Sequence, residues 1–206
     1  KAWDSLDVDY DRFIRTTDED HKEFVQDFIK KLDENDQIYK GEYEGLYCVG
    51  CEEYKTEKDL EDGKCPLHPN REIEEVKEEA YFFKLSEYED ELLELYKRDD
   101  FVLPEFRKNE MRNFVQEGLR DLSITRKKEK LEWGVPFPLD DDHVTYVWFD
   151  ALLNYLSGSG DDQEYWPAAD HLLGKDNGRF HAVIWPAMLM AAGYDLTETV
   201  FIHGFL

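Results

Sequence analysis

The sequence predicts an α/β fold with a parallel sheet over its last segment and a cysteine-bearing strand region before it. Two observations indicate the sheet, and a third marks the strand region. Over residues 143–206, β-branched and aromatic runs alternate with apolar helical stretches, and strands alternating with helices imply parallel strands joined by crossovers. Glycines and tight turns punctuate that alternation, as at Gly174-Lys175-Asp176 and Gly193. Residues 38–48 instead alternate with a period of two, and all three cysteines fall just after, within residues 48–65.

The first helix is announced by Thr17-Asp18-Glu19-Asp20. Thr17 can cap free backbone N–H groups, and the acids suit the positive helix end. His21, Phe24, Val25, Phe28, Ile29 and Leu32 then recur at steps of three and four, giving an amphipathic helix that ends near Asn35-Asp36. On this spacing His21 is a surface or capping histidine. Tyr39, Gly41, Tyr43, Gly45 and Tyr47 follow as one strand, or two short strands around a glycine.

Cys48-Val49-Gly50-Cys51 and Cys65-Pro66-Leu67-His68 form a Cys-x2-Cys and a Cys-x2-His knuckle. Zinc takes four soft or borderline ligands in a tetrahedron, and a two-residue gap lets both ends of a knuckle face one ion. The spacing therefore predicts a structural Zn2+ on Cys48, Cys51, Cys65 and His68. Such a site is closed to substrate and serves folding. An odd cysteine count and an intracellular setting disfavour a disulfide framework.

Residues 81–85 read as an aromatic strand, and Ser86-Glu87-Tyr88-Glu89 as a capping box opening a helix lined by Tyr88, Leu92, Leu95 and Tyr96. Leu103-Pro104 starts another, with Phe106, Met111, Phe114 and Val115 near helical spacing and Gly118 as its stop. Arg126, Lys127, Lys128 and Lys130 form the one local basic concentration, read as a solvated loop.

In the last segment, residues 143–150 read as a strand passing into a helix at Ala151-Leu152-Leu153-Asn154-Tyr155-Leu156. His171-Leu172-Leu173 is a second strand, residues 179–192 an apolar helix, and Thr199-Val200-Phe201-Ile202 a third strand. Parallel sheets bind ligands beyond the carboxyl ends of their strands. Trp148, Tyr155 and Asp176 fall at or just after such ends, and His181 and Trp185 share one helix face. These residues suit an aromatic pocket for a small apolar ligand with a polar head; residues at this spacing also pack as core.

Four stretches carry a family resemblance: Tyr146-Val147-Trp148-Phe149-Asp150-Ala151-Leu152-Leu153-Asn154-Tyr155, His171-Leu172-Leu173-Gly174-Lys175-Asp176, Arg179-Phe180-His181-Ala182-Val183-Ile184-Trp185-Pro186-Ala187, and Phe201-Ile202-His203-Gly204-Phe205. In order and spacing they resemble the methionyl-tRNA synthetases, a class I aminoacyl-tRNA synthetase family. Arg12-Phe13-Ile14-Arg15-Thr16-Thr17 resembles the segment before the family's insertion, and residues 121–136 its return to the catalytic sheet. The resemblance implies a partial Rossmann-type parallel sheet of the class I synthetase catalytic domain, carrying a zinc-knuckle α+β insertion. Residues 1–40 would close the first half of that domain, 41–120 would be the insertion, and 121–206 would be part of the second half. An insertion of that size is far smaller than the editing domain of the isoleucine, leucine or valine enzymes.

The implied activity is that of a methionine-tRNA ligase. Methionine is activated with ATP, accompanied by Mg2+, and passed to the 3′ end of tRNA(Met). Trp148, Ala151, Leu152, Tyr155, Asn177, Phe180, His181 and Trp185 match the methionine pocket. Gly174 and Asp176 match the ribose contacts, and His203, Gly204 and Leu206 the adenine side. Arg126 matches an arginine of the family motif, with a role near the reactive phosphates or in a structural ion pair. Asn177 stands where an apolar isoleucine is expected, and Leu152 where some members have proline. The family's His-Ile-Gly-His and Lys-Met-Ser-Lys-Ser phosphate signatures do not occur in these residues, so the isolated chain is expected not to form adenylate.

Composition bounds the rest. With 41% hydrophobic and 15% aromatic residues the chain can build a core. It has no apolar run long enough to span a bilayer and no basic-then-apolar opening segment, so the expected setting is cytoplasmic, without membrane partners. A net charge of −24 offers no basic face for DNA and few contacts to tRNA phosphates. A non-catalytic zinc-knuckle binding or structural module on the same fold is the other reading, separable by the frame flanking the chain.

Overall fold

The computed structural model describes residues 2–10, 12–51, 53–55, 57–159, 165–167 and 170–204. After a short helix α1 (Ala2–Ser5), the amphipathic helix α2 (Glu19–Glu34) buries His21, Val25, Phe28, Ile29 and Leu32. Its N-cap is Asp18 with no side-chain cap, because the Asp18 carboxylate accepts the Arg15 N–H instead. The cap expected at Thr17 is not used. His21, expected at the surface, is fully buried.

An antiparallel sheet follows. β1 (Ile38–Cys48) is one unbroken strand paired from Ile38 opposite Phe83 to Tyr47 opposite Glu74 on β3 (Glu74–Phe83), and β2 (Glu53–Lys55) flanks it. The strand expected from residue 81 thus begins at Glu74. Ser86 opens no capping box. Its backbone N–H and hydroxyl both donate to the Asp121 carboxylate, and a 3-10 turn at Leu85–Tyr88 precedes helix α3 (Glu89–Leu95).

Strand β4 (Val102–Leu103), absent from the sequence reading, runs parallel to the last strand and leads into α4 (Glu105–Gln116), which Gly118 stops at a φ of +95°. β5 (Leu122–Ser123) returns to the antiparallel sheet beside β3, and β6 (Thr125–Lys127) pairs antiparallel with β7 (His143–Thr145). β7 ends five residues earlier than the composition suggests. Tyr146 turns the chain as N-cap of α5 (Val147–Ser157), so Trp148 lies in a helix's first turn rather than at a strand end. Packing overrides the strand propensity of Val147, Trp148 and Phe149 here, since Phe149 is wholly buried against Phe28 and Phe83.

The parallel sheet has the order β4, β9 (Thr199–His203), β8 (Asp170–Gly174); β7 is not part of it. Between β8 and β9 the chain forms a 3-10 turn at Lys175–Asn177, a π-helical stretch at Phe180–Ile184, and α6 (Trp185–Ala192). α6 buries seven of its eight residues, as a helix apolar on all sides must, and ends at Gly193 with φ +68°. One continuous core joins α2, α5 and α6 to Phe83, Leu173, Val200 and Ile202 of the sheets. Among the described residues no helix is long and apolar enough to cross a membrane.

Candidate functional site

The site is built where α5 meets the π-helical stretch after β8. Trp148 stacks on Phe180 with centroids 4.6 Å apart, and two turns along α5 Tyr155 hydrogen-bonds His181, Oη to Nε2 2.8 Å. His181 Nδ1 lies 3.0 Å from the Asn177 carbonyl. A carbonyl only accepts, so Nδ1 carries the proton, Nε2 is a bare lone pair, and the Tyr155 hydroxyl donates to it. The backbone ladder is wider there, closed by the Trp185 N–H on the Phe180 carbonyl five residues back, and Pro186, which has no N–H, follows where the α pattern resumes.

Trp185, fully buried, lies 6.0 Å from the Tyr155 ring; Leu152 is buried in the same core and Ala151 is half-buried. Trp148 and Tyr155 remain 36% and 40% exposed, so they form the mouth. Burial pulls the His181 pKa down and pushes the Tyr155 phenol up, so both stay neutral at pH 7. The result is an aromatic, uncharged slot with one fixed chain of hydrogen bonds. Asn177 contributes its backbone carbonyl to this chain.

Beyond the carboxyl ends of the parallel strands, Gly174 lies opposite His203 in register, with Asp176 in the exposed turn after β8 and Gly204 just past β9. This is the crevice where open α/β sheets hold ligands. Leu206, the remaining predicted adenine contact, lies outside the described residues. Arg126 is buried on β6. Its guanidinium donates to the Ser123 hydroxyl and the Thr125 carbonyl and lies 4.4 Å over the Tyr146 ring. The basic run around it is not a purely solvated loop either, since Lys130 pairs with the buried Glu78 at 2.6 Å.

The second cluster lies at the far end of β1. Cys48, Cys51, Cys65 and His68 bring one ligand atom each to within 4.8 Å of the others. His68 Nδ1 stands 3.8, 3.2 and 4.0 Å from the three sulfurs, and Cys51 Sγ 3.5 Å from Cys65 Sγ. Ligands on a tetrahedral ion with bonds of about 2.0–2.3 Å stand about 3.3–3.8 Å apart, so the set fits such an ion. Turn bonds from Cys51 N–H to Cys48 O and from His68 N–H to Cys65 O fold each knuckle.

The chain as a whole has relatives among known proteins. A family profile described as tRNA synthetases class I (M) matches residues 1–74 and 57–206. The chain belongs to this family. The methionine–tRNA ligase of Caldanaerobacter subterraneus subsp. tengcongensis is 51% identical over 212 residues, 99% of this chain and 33% of that protein. That of Synechocystis sp. is 50% identical over 218 residues, 100% of this chain and 41% of that protein. The Mycobacterium tuberculosis methionyl-tRNA synthetase bound by methionyl-adenylate superposes with a TM-score of 0.89 at 43% identity, over 98% of this chain and 42% of that one. The chain thus spans about a third to two-fifths of these relatives.

Three residues packed around this aromatic cluster and α5 were not singled out as site residues from the sequence. His171 lies under Tyr155, with ring centroids 4.3 Å apart, and Trp166 stands 5.7 Å from Trp185. His21 fixes the other side of α5, its Nδ1 2.7 Å from the Ser157 hydroxyl. A histidine in a short strand reads as ordinary strand content. For His21 a signal was present, since it occupies the apolar stripe of α2.

Proposed function

We propose that the full-length protein to which this chain belongs is a methionine-tRNA ligase, and that this chain supplies its methionine slot and adenosine crevice. The observation that carries the reading is the Asn177–His181–Tyr155 hydrogen-bond chain, walled by Trp148, Phe180 and Trp185 at the ends of β8 and β9. A neutral aromatic slot suits an unbranched thioether, whose sulfur packs well against rings. In this reading Gly174 lets the ribose approach, Asp176 accepts bonds from the ribose hydroxyls, and His203, Gly204 and Leu206 flank adenine.

The reaction has two steps. A carboxylate oxygen of methionine attacks the α-phosphorus of ATP and pyrophosphate leaves, giving methionyl-adenylate. A hydroxyl of the 3′-terminal adenosine of tRNA(Met) then attacks the acyl carbon and AMP leaves. The work of these residues is positioning and exclusion of water from the side-chain slot. Mg2+ would accompany ATP and neutralise phosphate charge.

In the same reading residues 1–40 and 121–206 belong to the catalytic domain and 41–120 to the insertion. The Cys48, Cys51, Cys65 and His68 set would hold a structural Zn2+. Arg126, with its guanidinium spent on Ser123, Thr125 and Tyr146, serves as a brace between β6 and α5. The work is expected to take place in the cytoplasm.

Amino-acid-dependent ATP–pyrophosphate exchange by the full-length protein, with all twenty amino acids assayed separately, tests the proposal. Exchange with methionine alone is expected. No exchange with any amino acid, from a folded and metal-loaded protein, would transfer the reading to a non-catalytic module.

A further inference from the structure

Pro186 leaves a gap in the backbone ladder that follows the π-helical stretch. In an α-helix the carbonyl of residue 182 accepts from the N–H of residue 186, and residue 186 here is a proline, which has no N–H to give. A donor comes instead from outside the helix. Tyr96, the C-cap residue of α3, is 2% exposed, and its hydroxyl donates to the Ala182 carbonyl at 2.6 Å. Burial pushes the Tyr96 phenol well above its ordinary pKa, so the proton it donates is kept at working pH.

Two side chains of α4 grip the same stretch. The Phe114 ring lies 4.1 Å under the Arg179 guanidinium, and Met111 Cε lies 3.7 Å from where a Cβ on Gly178 would stand. The stretch is therefore held from two directions. On α5, Trp148 and Tyr155 take Phe180 and His181, whereas α3 and α4 take residues 178, 179 and 182. Ala182 directly follows His181, so a shift of its carbonyl carries the imidazole with it.

We propose that Tyr96 is a positioning residue: its hydroxyl supplies the hydrogen bond that Pro186 cannot, holds the register of residues 180–184, and so fixes the place of His181 from the side opposite its partners on α5. This deepens the reading of the slot as methionine's and rests on it. The α and π ladders are alternative ways to wind the same residues. Removing the Tyr96 hydroxyl leaves a buried acceptor unsatisfied, which favours any rewinding that finds it another donor. In the proposed division of the chain α3 and α4 fall in the insertion, so its helical part serves amino-acid binding separately from the Cys/His cluster.

The test uses the full-length enzyme as wild type, Tyr96→Phe, Pro186→Ala and the double variant. Phenylalanine keeps the ring beside Phe101 and removes only the hydroxyl; alanine at 186 restores a backbone N–H four residues after Ala182. In methionine-dependent pyrophosphate exchange, Tyr96→Phe is expected to raise KM for methionine roughly five- to tenfold, with KM for ATP within about twofold of wild type. Hydrogen exchange of the amides of residues 182–185 is expected to speed up about fivefold or more. In the Pro186→Ala background both effects should shrink to about twofold or less, because the carbonyl then has a donor of its own. Equal effects of Tyr96→Phe in the two backgrounds overturn the inference, since the hydroxyl would not then be filling the gap at Pro186. A wild type active on methionine whose KM and amide exchange Tyr96→Phe leaves unchanged also overturns it, as does a matched rise in both KM values, the mark of a general loosening. A wild type silent toward methionine overturns the proposed function, and with it the slot that Tyr96 would serve.

Discussion

Gly50 lies directly beneath His68: a Cβ built on Gly50 would stand 2.4 Å from Cγ of the His68 ring and 2.8 Å from Nδ1. No carbon makes so close an approach, so any side chain at 50 must push the imidazole off the three sulfurs. The glycine between the cysteines is thus part of the ligand set without being a ligand. Gly50→Ala is expected to leave the thiolates in place and weaken metal affinity by about 10–100-fold, the scale seen for residues that orient a ligand. Competitive chelator titration of the purified protein measures it, and unchanged affinity would show that His68 is not held by this contact.

Removal of an ion held by this cluster would have a predictable reach. Cys48 is the last residue of β1, paired with Glu53 across the tight end of the β1–β2 hairpin. Burial pushes the Cys51 thiol up to about 12, while Cys65, against the upward pull of burial, is held near 6 by hydrogen bonds from His68 and Cys51. Three thiolates this close need a cation, so without one the cluster must protonate or open. Treatment with a chelator is expected to speed hydrogen exchange of amides at 46–55 and 65–71 at least tenfold, while amides of β8 and β9 stay protected. Equal loss of protection in the parallel sheet would mean that the knuckle supports the whole fold.

The legible and illegible parts of this chain divide on physical grounds. α2, β1 and the Cys/His knuckles could be read because each depends on residues close in sequence: a 3.6-residue stripe, a two-residue alternation, a two-residue gap. The failures lie where a distant partner decides. β4 is two residues long, and only β9, about a hundred residues on, makes it a strand. Residues 147–149 look like a strand, yet they open a helix because Phe149 packs between Phe28 and Phe83. Thr17 and Ser86 are good caps in isolation and lose to Asp18 and to Asp121 respectively. At the slot the aromatic residue types were legible, whereas the direction of each proton followed only once Asn177, His181 and Tyr155 were seen in one line.

That proton chain makes Tyr155 a sensitive position. Tyr155→Phe keeps the ring against His171 and Trp185 and removes only the hydroxyl that satisfies His181 Nε2. The imidazole then presents an unpaired buried acceptor and loses the contact that fixes its ring, at a cost of about 1–2 kcal/mol. In the full-length enzyme kcat/KM for methionine should fall about five- to thirtyfold with little change in KM for ATP. A matched fall for both substrates would argue that Tyr155 supports the fold rather than the slot.

Asp150 supplies the clearest pH dependence. The residue is 5% exposed in the core, between Phe149 and Leu153 on α5, and its Oδ1 has no hydrogen-bond partner among the described residues. Burial alone pushes its pKa from 3.8 up to about 7. A raised carboxylate pKa means that the folded state favours the protonated form. Below about pH 4 both states are protonated and burial of the acid carries no ionisation penalty. Between about pH 4 and 7 the unfolded chain releases the proton while the folded one keeps it, so this group's contribution to stability falls as pH rises. Above about pH 7 the penalty is constant, on the order of 2–4 kcal/mol. Asp150→Asn cannot ionise and is nearly isosteric. Its stability relative to wild type, from urea unfolding at pH 4, 5.5, 7 and 8.5, should be near zero at the first point, climb through the next two and level off. A difference that does not change with pH would mean that Asp150 is ionised in the native protein and partnered when the enzyme is full length.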